Sequence, residues 1–169
     1  IEGGLIVTCV RHEGPAVANK IIELVTAYRT PEVVGFGLTG DEMSFDAAVF
    51  TRAFERAASI GLGTTAHVGE WGSARDVLRT VDLLNLDRVG HGIRAVEDDG
   101  VLKELSSRKI GFELCLSSNH ALEAAPLSTK HPMVKMMEYG CQISLATDDP
   151  GYFSTTPARE HELAETHLN

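Results

Sequence analysis

Basic side chains are scarce in this 169-residue chain, with 15 Lys and Arg against 24 Asp and Glu, a formal net charge of −9 and no basic cluster. That balance argues against binding a phosphate backbone or an anionic membrane, and it gives a phosphoester substrate little help. A neutral or weakly charged small molecule fits better. Cysteine is sparse too. Cys9, Cys115 and Cys141 are odd in number, far apart and set in apolar runs, which reads as buried free thiols in a reducing compartment. No Cys-x-x-Cys pair suggests a zinc knuckle or a redox motif. No signal peptide, membrane-length apolar stretch or low-complexity segment is evident, so a cytoplasmic location is the default expectation. Also missing are an Asn-Gly hairpin signal, a domain linker and a Gly-rich phosphate loop after the first apolar run.

What is present is alternation. Short apolar runs at Leu5–Val10, Val33–Leu38, Thr64–Val68, Arg88–Gly90, Gly111–Leu116 and Gln142–Ala146 read as strands. Between them apolar residues recur at helical spacing: Val17, Ile21, Leu24 and Val25; Val49, Ala53, Phe54 and Ala57; Val77, Leu78, Val81 and Leu84; Val101, Leu102 and Leu105; Met133, Val134, Met136 and Met137. Ser73 with Asp76 three residues on predicts a capped start for the third of these helices. Strand–helix repetition without hairpins implies right-handed βαβ units and a parallel sheet in one α/β domain, residues 1–169. The pattern leaves a doubly wound sheet and a (β/α)8 barrel both open, although the missing phosphate loop weakens the nucleotide-binding form of the first.

Polar residues gather where the strands run out, and in parallel α/β proteins those ends share one rim where chemistry is done. Thr147-Asp148-Asp149-Pro150 closes the last apolar run with two adjacent carboxylates, which repel unless a cation or a proton relieves them. His67 and Glu70 lie three residues apart across another strand end. His91 sits between Gly90 and Gly92, which leave its ring unobstructed. Taken singly each has a plainer reading as a core histidine, a turn histidine or a pair of helix-capping acids. Their recurrence at successive strand ends reads instead as a metal-assisted hydrolytic site.

In order along the chain, Gly37-Leu38-Thr39-Gly40-Asp41-Glu42, His67-Val68-Gly69-Glu70, Gly90-His91-Gly92, Cys115-Leu116-Ser117-Ser118-Asn119, His131-Pro132 and Thr147-Asp148-Asp149-Pro150 resemble the motifs of the adenosine deaminase family of metal-dependent amidohydrolases. The resemblance implies a (β/α)8 TIM-barrel type fold, here incomplete, about strands three to eight with their helices. It implies zinc held by His67 and Asp148, with two further ligands from an N-terminal His-x-His pair that this chain lacks. It assigns Glu70 as proton donor to purine N1, His91 as base for the zinc-activated water, Asp149 as a residue that orients the water and contacts N7, and the backbone at Gly40 as a purine contact. The implied reaction is hydrolysis of adenosine, and of 2′-deoxyadenosine, to the 6-oxo nucleoside and ammonia.

The partner so implied is a small purine nucleoside, with no nucleic acid and no membrane. Gly40-Asp41-Glu42 and Gly90 favour the nucleoside, whereas Pro150-Gly151-Tyr152-Phe153 has the character of the free-base branch, so adenine deamination is the sister reading. A non-catalytic barrel fragment is the reading from another class. Gly37 stands where many members carry an acid, and Leu116 where Pro is usual. The chain opens Ile1-Glu2 without Met and stops at Asn169 inside a helical pattern, so both ends read as cut. Missing strands would leave barrel edges open, and self-association along them is expected.

Overall fold

A computed structural model describes residues 3–127 and 130–168. Ile1, Glu2 and Asn169, on which the reading of cut ends rests, lie outside the described residues. The chain runs β1 (Leu5–Val10), α1 (Gly14–Tyr28), β2 (Val33–Thr39), α2 (Thr51–Ser59), β3 (Gly63–Val68), α3 (Ala74–Leu84), β4 (Arg88–His91), α4 (Asp99–Ser107), β5 (Gly111–Leu114), α5 (Leu116–Ala121), α6 (Pro132–Glu138), β6 (Gln142–Leu145), α7 (Pro150–Phe153) and α8 (Pro157–Leu168). Every strand pairs in parallel with the next, and the order across the sheet is the order along the chain. A doubly wound sheet must reverse direction at a switch point. This one never does, so it is an arc of a singly wound barrel with helices on its outer side.

The strands form because their outward residues, Phe36, Leu38, Ala66, Val68, Val89, Phe112 and Leu114, are buried under the helices. Covering one such aromatic or aliphatic side chain stabilises by roughly 1.5–3 kcal/mol. The α3 start is the expected capping box: Ser73 Oγ accepts the Asp76 N–H at 3.3 Å, and Asp76 Oδ2 accepts the Ser73 N–H at 2.8 Å. At the head of α6, His131 Nδ1 accepts the Met133 N–H at 3.1 Å, ahead of Pro132 in the first turn.

Three expectations need correction. The β5 strand ends at Leu114 rather than Leu116, because Cys115 turns the chain directly into α5. The buried stripe of α1 is Ala18, Ile22 and Val25; Leu24 is 51% exposed and Val17 also faces outward. Two apolar stripes offset by one residue share that helix, and small Ala18 lets the second approach the sheet. Val49 is exposed too, since a short 3-10 turn over Ala47–Phe50 points Phe50 inward in its place.

The two outer strands, β1 and β6, have no further strand partner among the described residues. Leu5 is 61% exposed, and Ile6 and Val34 are exposed beside it. The inner face of the arc is polar. Arg88 Nε donates to Glu113 Oε1 at 2.6 Å and Arg88 Nη2 to Ser144 Oγ at 2.5 Å, tying β4, β5 and β6 together below the rim. No helix among the described residues is long and apolar enough to cross a membrane.

Candidate active site

The C-terminal strand ends bring four of the expected residues together. His67 is the penultimate residue of β3, and Glu70 follows on the loop beyond it. His91 is the last residue of β4, and Asp148 lies three residues past β6. His67 Nε2 is 3.7 Å from Glu70 Oε2, His91 Nδ1 is 3.5 Å from Glu70 Oε1, and His91 Nε2 is 3.8 Å from Asp148 Oδ2. The two imidazoles meet edge to face with ring centres 4.7 Å apart. His91 and Asp148 both adopt left-handed backbone, with φ of +63° and +56°. For residues with a side chain that conformation costs roughly 1–2 kcal/mol and persists only where surrounding structure imposes it.

Burial sets the protonation states. Glu70 is almost wholly buried, which pushes its carboxyl up from 4.5 to about 7, and the carboxylates of Asp148 and Glu42 push the same way. An opposing pull comes from Asn119, whose Nδ2 donates to Glu70 Oε1 at 2.9 Å. His91 is pushed down to about 4, first by burial and then by His67; burial also lowers His67. The site therefore holds a carboxyl that is partly protonated at neutral pH beside two neutral imidazoles, the pattern expected of a proton donor next to metal ligands or a base.

Gly40 follows β2 with φ of +97° and lines, with Thr39, Glu42, His67, Glu70 and Asp148, a cavity of about 370 Å³. Trp71, 46% exposed, stands in the same wall. Asp149 is not brought in. It is exposed at the head of α7, makes no capping bond there, and is absent from the ligand-capable clusters among the described residues. Both acids of the doublet are exposed, but among the described residues only the Asp148 carboxylate joins a ligand-capable cluster, 3.8 Å from His91. The Asp148 carboxylate accepts from Ser118 Oγ at 2.7 Å.

Two sets of ligating atoms lie within 4.8 Å of one another: His67, Glu70 and His91, and His91, Cys115 and Asp148. The donors fit a zinc ion, being neutral imidazoles and carboxylates. His67 and Asp148, the expected ligands, fall in different sets joined by His91. Burial pushes the Cys115 thiol up to about 12. The sequence reading assigned no role to Arg11, Glu42, Ser118 or Asn119. The last three stand in quoted motifs, and Arg11 carried a signal of its own, a charged residue directly after a barrel strand.

A model of the family described as adenosine deaminase matches residues 1–169. The chain belongs to the adenosine deaminase family. Among curated relatives, the adenine deaminase of Chelativorans sp. is 37% identical over 168 residues, which cover 99% of this chain and 52% of that protein. The crystal structure of adenine deaminase from Arthrobacter aurescens superposes with a TM-score of 0.89 at 30% identity, covering 98% of this chain and 50% of that one. An amidohydrolase from Burkholderia ambifaria with bound Zn does so at 0.89 and 32% identity, covering 98% and 47%. The chain thus spans about half the length of the adenosine deaminase family relatives it matches, and its arc corresponds to part of their barrels.

Proposed function

We propose that this chain forms part of a hydrolytic purine deaminase whose substrate is free adenine, giving hypoxanthine and ammonia. The observation that carries the reading is the buried Glu70 carboxyl, held near neutrality beside two uncharged imidazoles at the rim of a deaminase-family barrel. His67 and Asp148 would hold a zinc ion, with His91 alongside, and zinc supplies Lewis acidity that makes a water nucleophilic at neutral pH. The chain's own groups move the protons. Glu70 gives its proton to ring N1, which makes C6 electrophilic, and His91 takes the proton of the attacking water. A C6–O bond forms, the C6–N bond breaks as the proton on His91 leaves with the amino group as ammonia, and the remaining hydroxyl proton returns to Glu70, leaving the 6-oxo base.

Asn119 couples these two roles. Its Nδ2 lies 2.9 Å from Glu70 Oε1 and 3.0 Å from His91 Nδ1, while its Oδ1 is buried without a hydrogen bond. That orientation suits an ionised Glu70 and an imidazole protonated at Nε2. Turned over, Oδ1 accepts from a protonated Glu70 and from Nδ1–H, leaving Nε2 free as the base. The reaction requires the second state.

Adenine replaces adenosine as the favoured substrate for two reasons. Two of the three relatives reported above carry the free-base name. The Gly40-Asp41-Glu42 signature that argued for the nucleoside is also occupied elsewhere: Asp41 Oδ1 accepts from the Met43 and Ser44 N–H groups, and Glu42 accepts from the β3–α3 loop. Both acids shape backbone, and both oxygens of the buried Glu42 are taken up by it. The deciding experiment compares ammonia release from adenine, adenosine and N6-methyl-AMP by the zinc-loaded protein. Higher kcat/KM for adenosine than adenine would overturn the assignment, and no turnover of any purine would favour a non-catalytic fragment.

A further inference from the structure

Past Val68 the chain leaves the sheet, and the amides of Gly69, Glu70 and Trp71 have no strand to pair with. All three go to one side chain. Glu42 Oε2 accepts the Gly69 N–H at 2.6 Å, and Oε1 accepts those of Glu70 at 2.9 Å and Trp71 at 2.7 Å. The Glu42 side chain is only 3% exposed. A buried carboxylate receiving three N–H bonds is a charge-assisted anchor of the stronger kind. The same segment is also held from its other end. Arg11, 2% exposed, donates Nη2 to the His67 carbonyl at 2.9 Å and Nη1 to the Phe45 carbonyl at 2.9 Å. Phe45 lies three residues after Glu42, so Arg11 anchors both the site segment and the loop that carries its partner. Burial lowers the Arg11 pKa, and the Glu42 charge pushes it back up.

We infer that Arg11 and Glu42 are positioning residues, a pair of opposite charges clamping the main chain of His67–Trp71 and so fixing where the Glu70 carboxyl meets its substrate. The role of Glu70 as proton donor to a purine is taken from the proposed function; the clamp itself is geometric. Its bonds all go to backbone, and Glu70 is thereby held twice: Glu42 fixes its main chain and Asn119 its carboxyl. Gly69 completes the device. Its φ of +77° and its packing against Val77 and Gly92 let the three amides turn toward one acceptor. Misplacement of a reacting group by about 1 Å is enough to cost on the order of 100-fold in rate.

The test uses the zinc-loaded protein with Glu42→Gln, Glu42→Ala and Arg11→Lys, read by residue-resolved amide exchange and by purine turnover. Glu42→Ala is expected to speed exchange at residues 69–71 on the order of 100-fold and to lower kcat by a similar factor, with KM changed little. Glu42→Gln keeps the oxygen that serves Glu70 and Trp71, so its effect concentrates at Gly69 and its kcat falls between those of the unaltered protein and Glu42→Ala. If Glu42→Ala does not fold, Glu42→Gln and Arg11→Lys carry the test alone. Unchanged exchange at residues 69–71 would overturn the clamp. Faster exchange with kcat intact would overturn the positioning role and leave Glu42 a stabilising residue. Should the unaltered protein turn over no purine, the functional reading fails while exchange still decides the clamp.

Discussion

Glu70 and His91 sit 3.5 Å apart yet push the stability of the folded chain in opposite directions as pH changes. The Glu70 carboxyl is raised from 4.5 to about 7, chiefly by burial. Its folded state holds the proton more tightly than the unfolded state does, so its contribution is complete below pH 4.5 and is lost as pH rises to about 7. At about 1.36 kcal/mol per pH unit, that interval is worth roughly 3 kcal/mol. His91 is lowered from 6.5 to about 4, again chiefly by burial. Its contribution is complete above 6.5 and is lost, by roughly 3 kcal/mol, as pH falls to about 4. Neither side chain is more than 6% exposed, so solvent screening discounts neither figure heavily. The assay is urea unfolding of the zinc-stripped protein from pH 4 to 8, for the unaltered chain, Glu70→Gln and His91→Gln. The stability of the unaltered chain minus that of Glu70→Gln should fall by roughly 3 kcal/mol from pH 4.5 to 7. The same difference taken with His91→Gln should rise by a similar amount from pH 4 to 6.5. Subtraction removes the surface acids. A flat difference curve for either variant would refute the claim that burial sets its protonation.

Four further outcomes follow from the geometry. Asn119→Leu should lower kcat by on the order of 100-fold in steady-state assays, because it removes the amide that selects the His91 tautomer. Ser118→Ala, which strips the 2.7 Å bond from Asp148, should weaken zinc affinity by about 10–100-fold in competition titrations with a chelator. Gly69→Ala should destabilise by about 2 kcal/mol or more in thermal melts, since a Cβ there meets Val77 at a φ of +77°. In sedimentation, the 169-residue chain should associate through its β1 and β6 edges, and a monodisperse monomer at high concentration would count against that.

Much of the architecture was legible because buried parallel strands are unbroken apolar runs, and those runs here are separated by capped helices. All six strands stand within two residues of their expected limits. The inner face of α1 was not legible, since Val17 and Leu24 satisfy the same period as Ala18 and Val25 and only packing against the sheet chooses between them. At the rim, the gathering of His67, Glu70, His91 and Asp148 was readable from their shared position at strand ends. Which acid of the doublet would join a ligand-capable cluster was not, because adjacent identical side chains carry no spacing signal that tells them apart. Glu42 escaped for a different reason. Its partners are main-chain amides 27 to 29 residues away, and a hydrogen bond to backbone leaves no trace in side-chain spacing.

The strand order has a mechanical consequence. His67 and His91 stand on neighbouring strands, but Asp148 follows β6, two positions round the arc from β4. Its 3.8 Å approach to His91 is therefore set by how strongly the sheet bends, much as the gap in a split ring follows the tension on its ends. Whatever grips the two outer strands acts on this rim from a distance, and the His91–Asp148 separation is its gauge.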